Sequence, residues 1–210
     1  MNIPLFSKYS FTAFFTAAIL ILSPGLLRAQ QVAEEFSISK IEPAIISSPV
    51  ISYSGANQKP SRPKNWMEIE VTFSWLPRNP ADKYSDDIVL DYYVLLANKS
   101  VTSPQGTLLA GQVTHTSVPA KQNDLKSVIY ISPRTLERFF DGKPPASVSS
   151  AIIDIGVTIS RQGQLVAQKS LKGSGAWWPQ YQKTSGYLLN KNETPFAPLN
   201  TDYYEAVKRQ

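Results

Sequence analysis

The stretch "WMEIEVTFSW", residues 66–75, decides the fold. Met67, Ile69, Val71, Phe73 and Trp75 alternate with Glu68, Glu70, Thr72 and Ser74. In an extended chain successive side chains point to opposite faces, so one face of this segment is apolar and the other polar. That pattern describes an antiparallel strand with one side in a core and one side in water. It also places Glu68 and Glu70 together on the wet face, where they read as solvated carboxylates and not as a catalytic pair.

Outward from this strand, the mature chain reads as β-rich. "IVLDYYVLLAN" (88–98) alternates Leu90, Tyr92, Val94 and Leu96 with Val89, Asp91, Tyr93 and Leu95. Both faces are mostly apolar, which predicts a central strand with Asp91 near a strand end or the rim. "GTLLAGQVTHTSV" (106–118) and "LKSVIYIS" (125–132) supply two more strands. Upstream, "FSISKI" (36–41) and "AIISSPVISY" (44–53) read as separate runs, the second broken by Pro49 as an edge strand would be. Downstream, "SVSSAIIDIGVTIS" (147–160) reads as one long strand. Gln162-Gly163 then turns the chain into "LVAQKSL" (165–171). One helix interrupts this order: Ser132 can cap it, Pro133 suits its first turn, and Leu136, Phe139 and Phe140 share one face.

About seven or eight strands punctuated by turns, with one short crossover helix, predict an immunoglobulin-like two-sheet antiparallel β-sandwich over residues 30–171. A closed barrel is the alternative. Residues 172–210 differ: three glycines, three prolines and seven aromatics, with weak periodicity. So many aromatics argue for a C-terminal arm ordered at least partly by packing on the sandwich. It opens on "KGSGAWWPQY" (172–181), where Gly173–Gly175 form a joint. Trp177, Trp178, Tyr181 and Tyr187 are its candidate arm-packing or partner-binding residues. If the segment is extended, one indole packs inward and its neighbour faces out.

Residues 1–29 read as a signal peptide, with Lys8 in the n-region, an apolar run from Phe11 to Leu22, and a cut after Ala29. The run is too short to span about 30 Å of hydrocarbon as a helix. Removing it takes away Lys8 and Arg28 and no acid, which lowers the net charge from +5 to +3. No basic run exists, so nucleic-acid binding is poorly supported. There is no cysteine, hence no disulfide framework and no cysteine-linked lipid anchor. The triplets Asn98–Ser100 and Asn192–Thr194 read as chance sequons.

Enzyme chemistry has little material. His115 is the single histidine and, on an alternating strand, is expected to face solvent. No nucleophile elbow, P-loop or dinucleotide fingerprint occurs. One histidine without cysteine leaves almost no zinc or copper site. Asp82, Asp86 and Asp87 do not match a calcium loop. No cofactor or metal is therefore expected. Two binding readings remain. One is a structural or adhesive module that works through sheet edges and the arm. The other is a carbohydrate-binding sandwich using exposed aromatics, drawn from Trp66, Tyr84, Trp177, Trp178, Tyr181 and Tyr187; filling the core is the competing role for such rings.

The export signal, the cysteine-free sandwich pattern, the helix "SPRTLERFFDG" and the C-terminal "GAWWPQYQKTSGYLL" together resemble exported immunoglobulin-like proteins of gut Verrucomicrobia. The genes of those proteins sit beside type IV pilus-like components. The resemblance implies a non-enzymatic protein of the periplasm, outer membrane or cell surface. Its partners would be other surface or pilus-assembly proteins, and its membrane association peripheral. It supplies no catalytic residues. The chain lacks the Gly-Phe cleavage site and following glutamate of true type IV pilins, so the role implied is that of an accessory.

Overall fold

The computed structural model describes residues 34–50, 62–98, 105–173 and 175–209. The signal-peptide expectation lies outside them, as do Ser174 of the glycine joint and Lys99 and Ser100 of the first sequon.

Two sheets pack face to face. The first has the order β1 (Phe36–Ser47), β2 (Asn65–Trp75), β5 (Gln122–Ile131), β9 (Leu188–Asn190). The second has the order β7 (Gln164–Ser170), β6 (Ile152–Arg161), β3 (Ile88–Leu96), β4 (Thr107–His115), β8 (Lys183–Ser185). The fold is a β-sandwich. Its core is the alternation in β2 and β3 made physical: Met67, Ile69, Val71, Phe73 and Trp75 face Ile88, Leu90, Tyr92, Val94 and Leu96, all at 0% exposure. Burying each such side chain contributes roughly 1.5–3 kcal/mol, so this double row is the main stabilising element. Trp75 also stacks on Phe36, with ring centroids 5.9 Å apart.

Several local expectations are corrected. β1 is a single strand that runs through Pro43, and Pro49 lies beyond its end. Proline is tolerated because β1 is an edge strand, with no second ladder to lose. Residues 148–151 are not strand but a second helix. α1 is Pro133–Phe139, capped by Ser132, whose hydroxyl accepts from the Thr135 amide. α2 is Val148–Ala151, where Ser147 and Ser150 exchange side-chain-to-backbone hydrogen bonds in a capping box. That local serine chemistry outcompetes the strand propensity of the segment. Asp91 sits mid-strand, opposite Gln112 and Thr158, and not at a rim. The turn at Gln162 (φ 51°) and Gly163 (φ 76°) has both central residues in the left-handed region, as a two-residue hairpin requires.

The arm joins both sheets. β8 pairs with β4 in parallel, the one parallel ladder among the described residues, whose other strand pairs are antiparallel. After Gly186 (φ 86°) the chain crosses to the other sheet, and β9 pairs antiparallel with β5. One short segment thus occupies neighbouring edges of both sheets. Gly111 makes this possible: a Cβ there would lie 2.6 Å from the Leu188 Cβ. The chain then crosses the outer face of the first sheet, where Phe196 stacks on Tyr130 at 5.0 Å. It returns to the β4–β5 side through backbone bonds from Glu205 to Lys126, Thr116 to Ala206 and Lys208 to Thr114. The opposite edges, β1 and β7, carry no further strand among the described residues. No helix among those residues is long and apolar enough to cross a membrane.

Candidate interaction surface

Trp177 and Trp178 lie on the outer face of the second sheet. They are not in extended chain: Trp177 has helical backbone angles, and Trp178–Gln180 form a 3-10 turn. The premise of opposite-pointing indoles therefore fails. Both rings join one cluster with Tyr93, Leu95, Leu108, Ile153 and Tyr181. Trp178 is buried and stacks flat on Tyr93, at 5.1 Å and 5°. It rests directly on Gly156, where a Cβ would come within 2.2 Å of the indole. Trp177 is half-buried, meets Trp178 and Tyr181 edge-on at 5.7 Å each, and donates its indole N–H to the Ser170 hydroxyl at 3.1 Å. Tyr187 is elsewhere, edge-on to Phe139 of α1 at 5.1 Å. The structure brings Trp177, Trp178 and Tyr181 together and leaves Tyr187 apart. Tyr84 stands alone on a loop at 66% exposure, and Trp66 lies on the other sheet. The aromatic candidates thus form no single row along which a glycan could stack.

Beside this cluster, Asp91, Tyr93, Gln112, Lys183 and Ser185 line a groove of 310 Å³. The Lys183 ammonium sits 4.8 Å over the Tyr93 ring. Asp91 is half-buried and accepts one long hydrogen bond, from Thr158 at 3.4 Å. Burial pushes its carboxyl above the usual range, against the pull of Thr158 and Lys183. Sequence reasoning missed Lys183 and Tyr93 as partners. The available signal was Gly156: a glycine inside a β-branched run marks a close approach, here by Trp178.

The carboxylates expected in water are under the arm. Glu68 accepts from the Tyr130 hydroxyl at 2.9 Å, and burial raises its pKa more than that bond lowers it. Glu70 pairs with Lys126 at 2.9 Å and accepts from Tyr203 and Tyr204, each at 3.2 Å. Asp82, Asp86 and Asp87 diverge. Asp82 meets Asn79, Asp86 takes Arg161 and Gln162, and Asp87 pairs with Lys208. Burial would raise Asp86, but its Arg161 and Gln162 hydrogen bonds outweigh that and hold it below the usual range.

His115 does not face solvent; it is 1% exposed. Leu109, Gly111, Val113 and His115 share the inward face of β4, where the glycine interrupts the apolar alternation. Tyr92 donates to the Ser127 hydroxyl at 2.7 Å, and Ser127 lies 2.7 Å from His115 Nε2. Nδ1 faces the carbonyls of Glu205 and Ala206, at 3.2 and 3.3 Å. Two carbonyls accept only, so Nδ1 carries the proton and Nε2 accepts from Ser127. The Ser–His pair is sealed in the core and clamps the end of the arm. Burial pushes the imidazole pKa down to about 4.

A protein-family model matches residues 27–210. The chain belongs to that family. The family match takes in the arm as well as the sandwich, in keeping with the shared ladders and core of the two. No curated protein matches the chain. Among solved structures, a crystal structure of a protein from Akkermansia muciniphila matches with a TM-score of 0.70 at 23% identity. The match covers 84% of this chain and 94% of that one. At that identity the likeness shows the fold.

Proposed function

We propose that the chain is a non-enzymatic, exported, immunoglobulin-like interaction protein, an accessory of a pilus-like or secretion-associated assembly at a bacterial surface. The observation that carries this reading is the asymmetry of the sheet edges. On one side the arm occupies β4 and β5, while on the other β7 presents seven residues without proline, with Leu165 57% exposed. An unpaired edge is a template for strand addition by a partner. The buried Ser–His pair and the carboxylates tied into structural contacts favour binding over catalysis. The source of the structural neighbour, a Verrucomicrobium, agrees with the resemblance in the sequence.

The test is a photo-crosslinking residue in place of Leu165, in the native bacterium. Adducts to envelope proteins of a pilus-like or secretion apparatus are expected. A protein recovered from the cytoplasm, or one whose only adducts are to soluble enzymes, contradicts the proposal. Carbohydrate binding is the second reading. Trp178 is already spent on Tyr93, so that reading moves to the other sheet, where Trp66 lies in a cationic groove.

A further inference from the structure

Trp66 lines an open groove of 520 Å³ with Pro49, Arg62, Lys64, Arg134 and Pro195, where β1 and β2 meet the start of α1. Its charge is lopsided. Lys64 is compensated by Glu137 at 3.3 Å, but Arg62 and Arg134 make no ion pair among the described residues. Arg161, by contrast, bridges Glu35 and Asp86. Two uncompensated guanidinium groups in one groove favour a carboxylate or sulfate, which planar guanidinium donors match in bidentate fashion.

The rest of the lining narrows the ligand class. The indole is fixed in advance: Trp66 stands edge-on to Phe196 at 5.7 Å, and Phe196 is stacked on Tyr130. A ring already held by the fold costs little further entropy when a ligand docks. Indole and proline surfaces suit the apolar face of a pyranose ring. A peptide adding a strand would find little here, because the backbone at Ser48 and Lys64 is already engaged. The Ser48 amide donates to the Lys64 carbonyl, and the Lys64 amide to the Ser48 hydroxyl, both at 2.9 Å. We propose that this groove binds an anionic saccharide, its sulfate or carboxylate held by Arg62 and Arg134 and a sugar ring set against Trp66. The site does not depend on the surface-assembly reading, which is tested separately at Leu165.

The experiment is calorimetric titration of the purified protein with a chondroitin sulfate hexasaccharide, alongside neutral chitohexaose, inorganic sulfate and a hexaglutamate peptide. The sulfated saccharide binds and chitohexaose does not. The double variant Arg62→Gln/Arg134→Gln weakens binding about tenfold or more, through loss of charge-assisted hydrogen bonds. Lys40→Gln/Lys172→Gln removes equal charge from exposed positions elsewhere and changes affinity less than about twofold. Trp66→Leu weakens saccharide binding, and Trp66→Phe, which keeps an aromatic edge on Phe196, serves where the leucine variant does not fold. The proposal is overturned by no binding of the sulfated saccharide, or by equal loss in both double variants. It is also overturned if hexaglutamate binds as tightly with the same Trp66 dependence, or if sulfate alone displaces the saccharide at the saccharide's own affinity.

Discussion

His115 makes the stability of this protein depend on pH in a way that can be read at one residue. In the unfolded chain its pKa is near the ordinary imidazole value of 6.5; in the folded protein burial lowers it to about 4. Between those values the unfolded chain binds a proton that the native state refuses. The stabilising contribution of neutral His115 is therefore fully present above pH 6.5 and lost as pH falls towards 4. The difference of about 2.5 pKa units corresponds to about 3 kcal/mol, at 1.36 kcal/mol per unit. Structure supplies the cause. Protonation would add a donor at Nε2, facing a hydroxyl that already accepts from Tyr92, and would place a charge where 1% of the residue meets solvent. Because the chain has a single histidine, its ring protons in an NMR titration report this pKa directly. Urea unfolding from pH 7 to pH 4 gives the linked stability. Carboxylates contribute too: Glu68, Asp91 and Glu205 are raised, mainly by burial, and favour the native state at lower pH. The decisive quantity is therefore the difference in pH dependence between the native protein and His115→Gln. A histidine that titrates near 6.5, or a variant with an unchanged stability–pH slope, refutes the buried clamp.

Two further outcomes follow from the arm. Gly156→Ala drives a Cβ into the Trp178 indole and should cost about 1–3 kcal/mol by overpacking. Denaturant unfolding measures it, and Trp178→Leu should recover part of the loss. Tyr203→Phe/Tyr204→Phe removes both arm hydroxyls from Glu70 and should destabilise by about 1 kcal/mol for each bond at most, with faster proteolysis of the C-terminal segment. No change in either measure would mean that these contacts do not hold the arm.

What could be read from the sequence follows from range. β2 and β3 were legible because period-two alternation is local and strongly contrasted in "WMEIEVTFSW" and "IVLDYYVLL". The Gln162-Gly163 turn was legible because backbone sterics demand those residue types. β8 and β9 were not, since "KTS" and "LLN" are too short to show a period and exist only because β4 and β5 offer edges. The inward turn of His115 was hidden by Gly111, whose missing side chain serves Leu188. Val148–Ala151 misled because its capping depends on two serines inside a β-branched run. At the surface, Glu68 and Glu70 fitted the wet face of a strand; only the fold shows that the arm lies over that face.

The central claim is that the arm is built into one side of the sandwich and leaves β7, like β1 of the other sheet, as an open edge among the described residues. Hydrogen exchange of the purified protein tests both halves at once. Amides of Leu188–Asn190 and of residues 205–208 should be protected like those of β4 and β5, while alternate amides of Gln164–Ser170 exchange rapidly. An arm that exchanges as fast as the loops, or a β7 edge protected throughout in the isolated protein, would contradict the account.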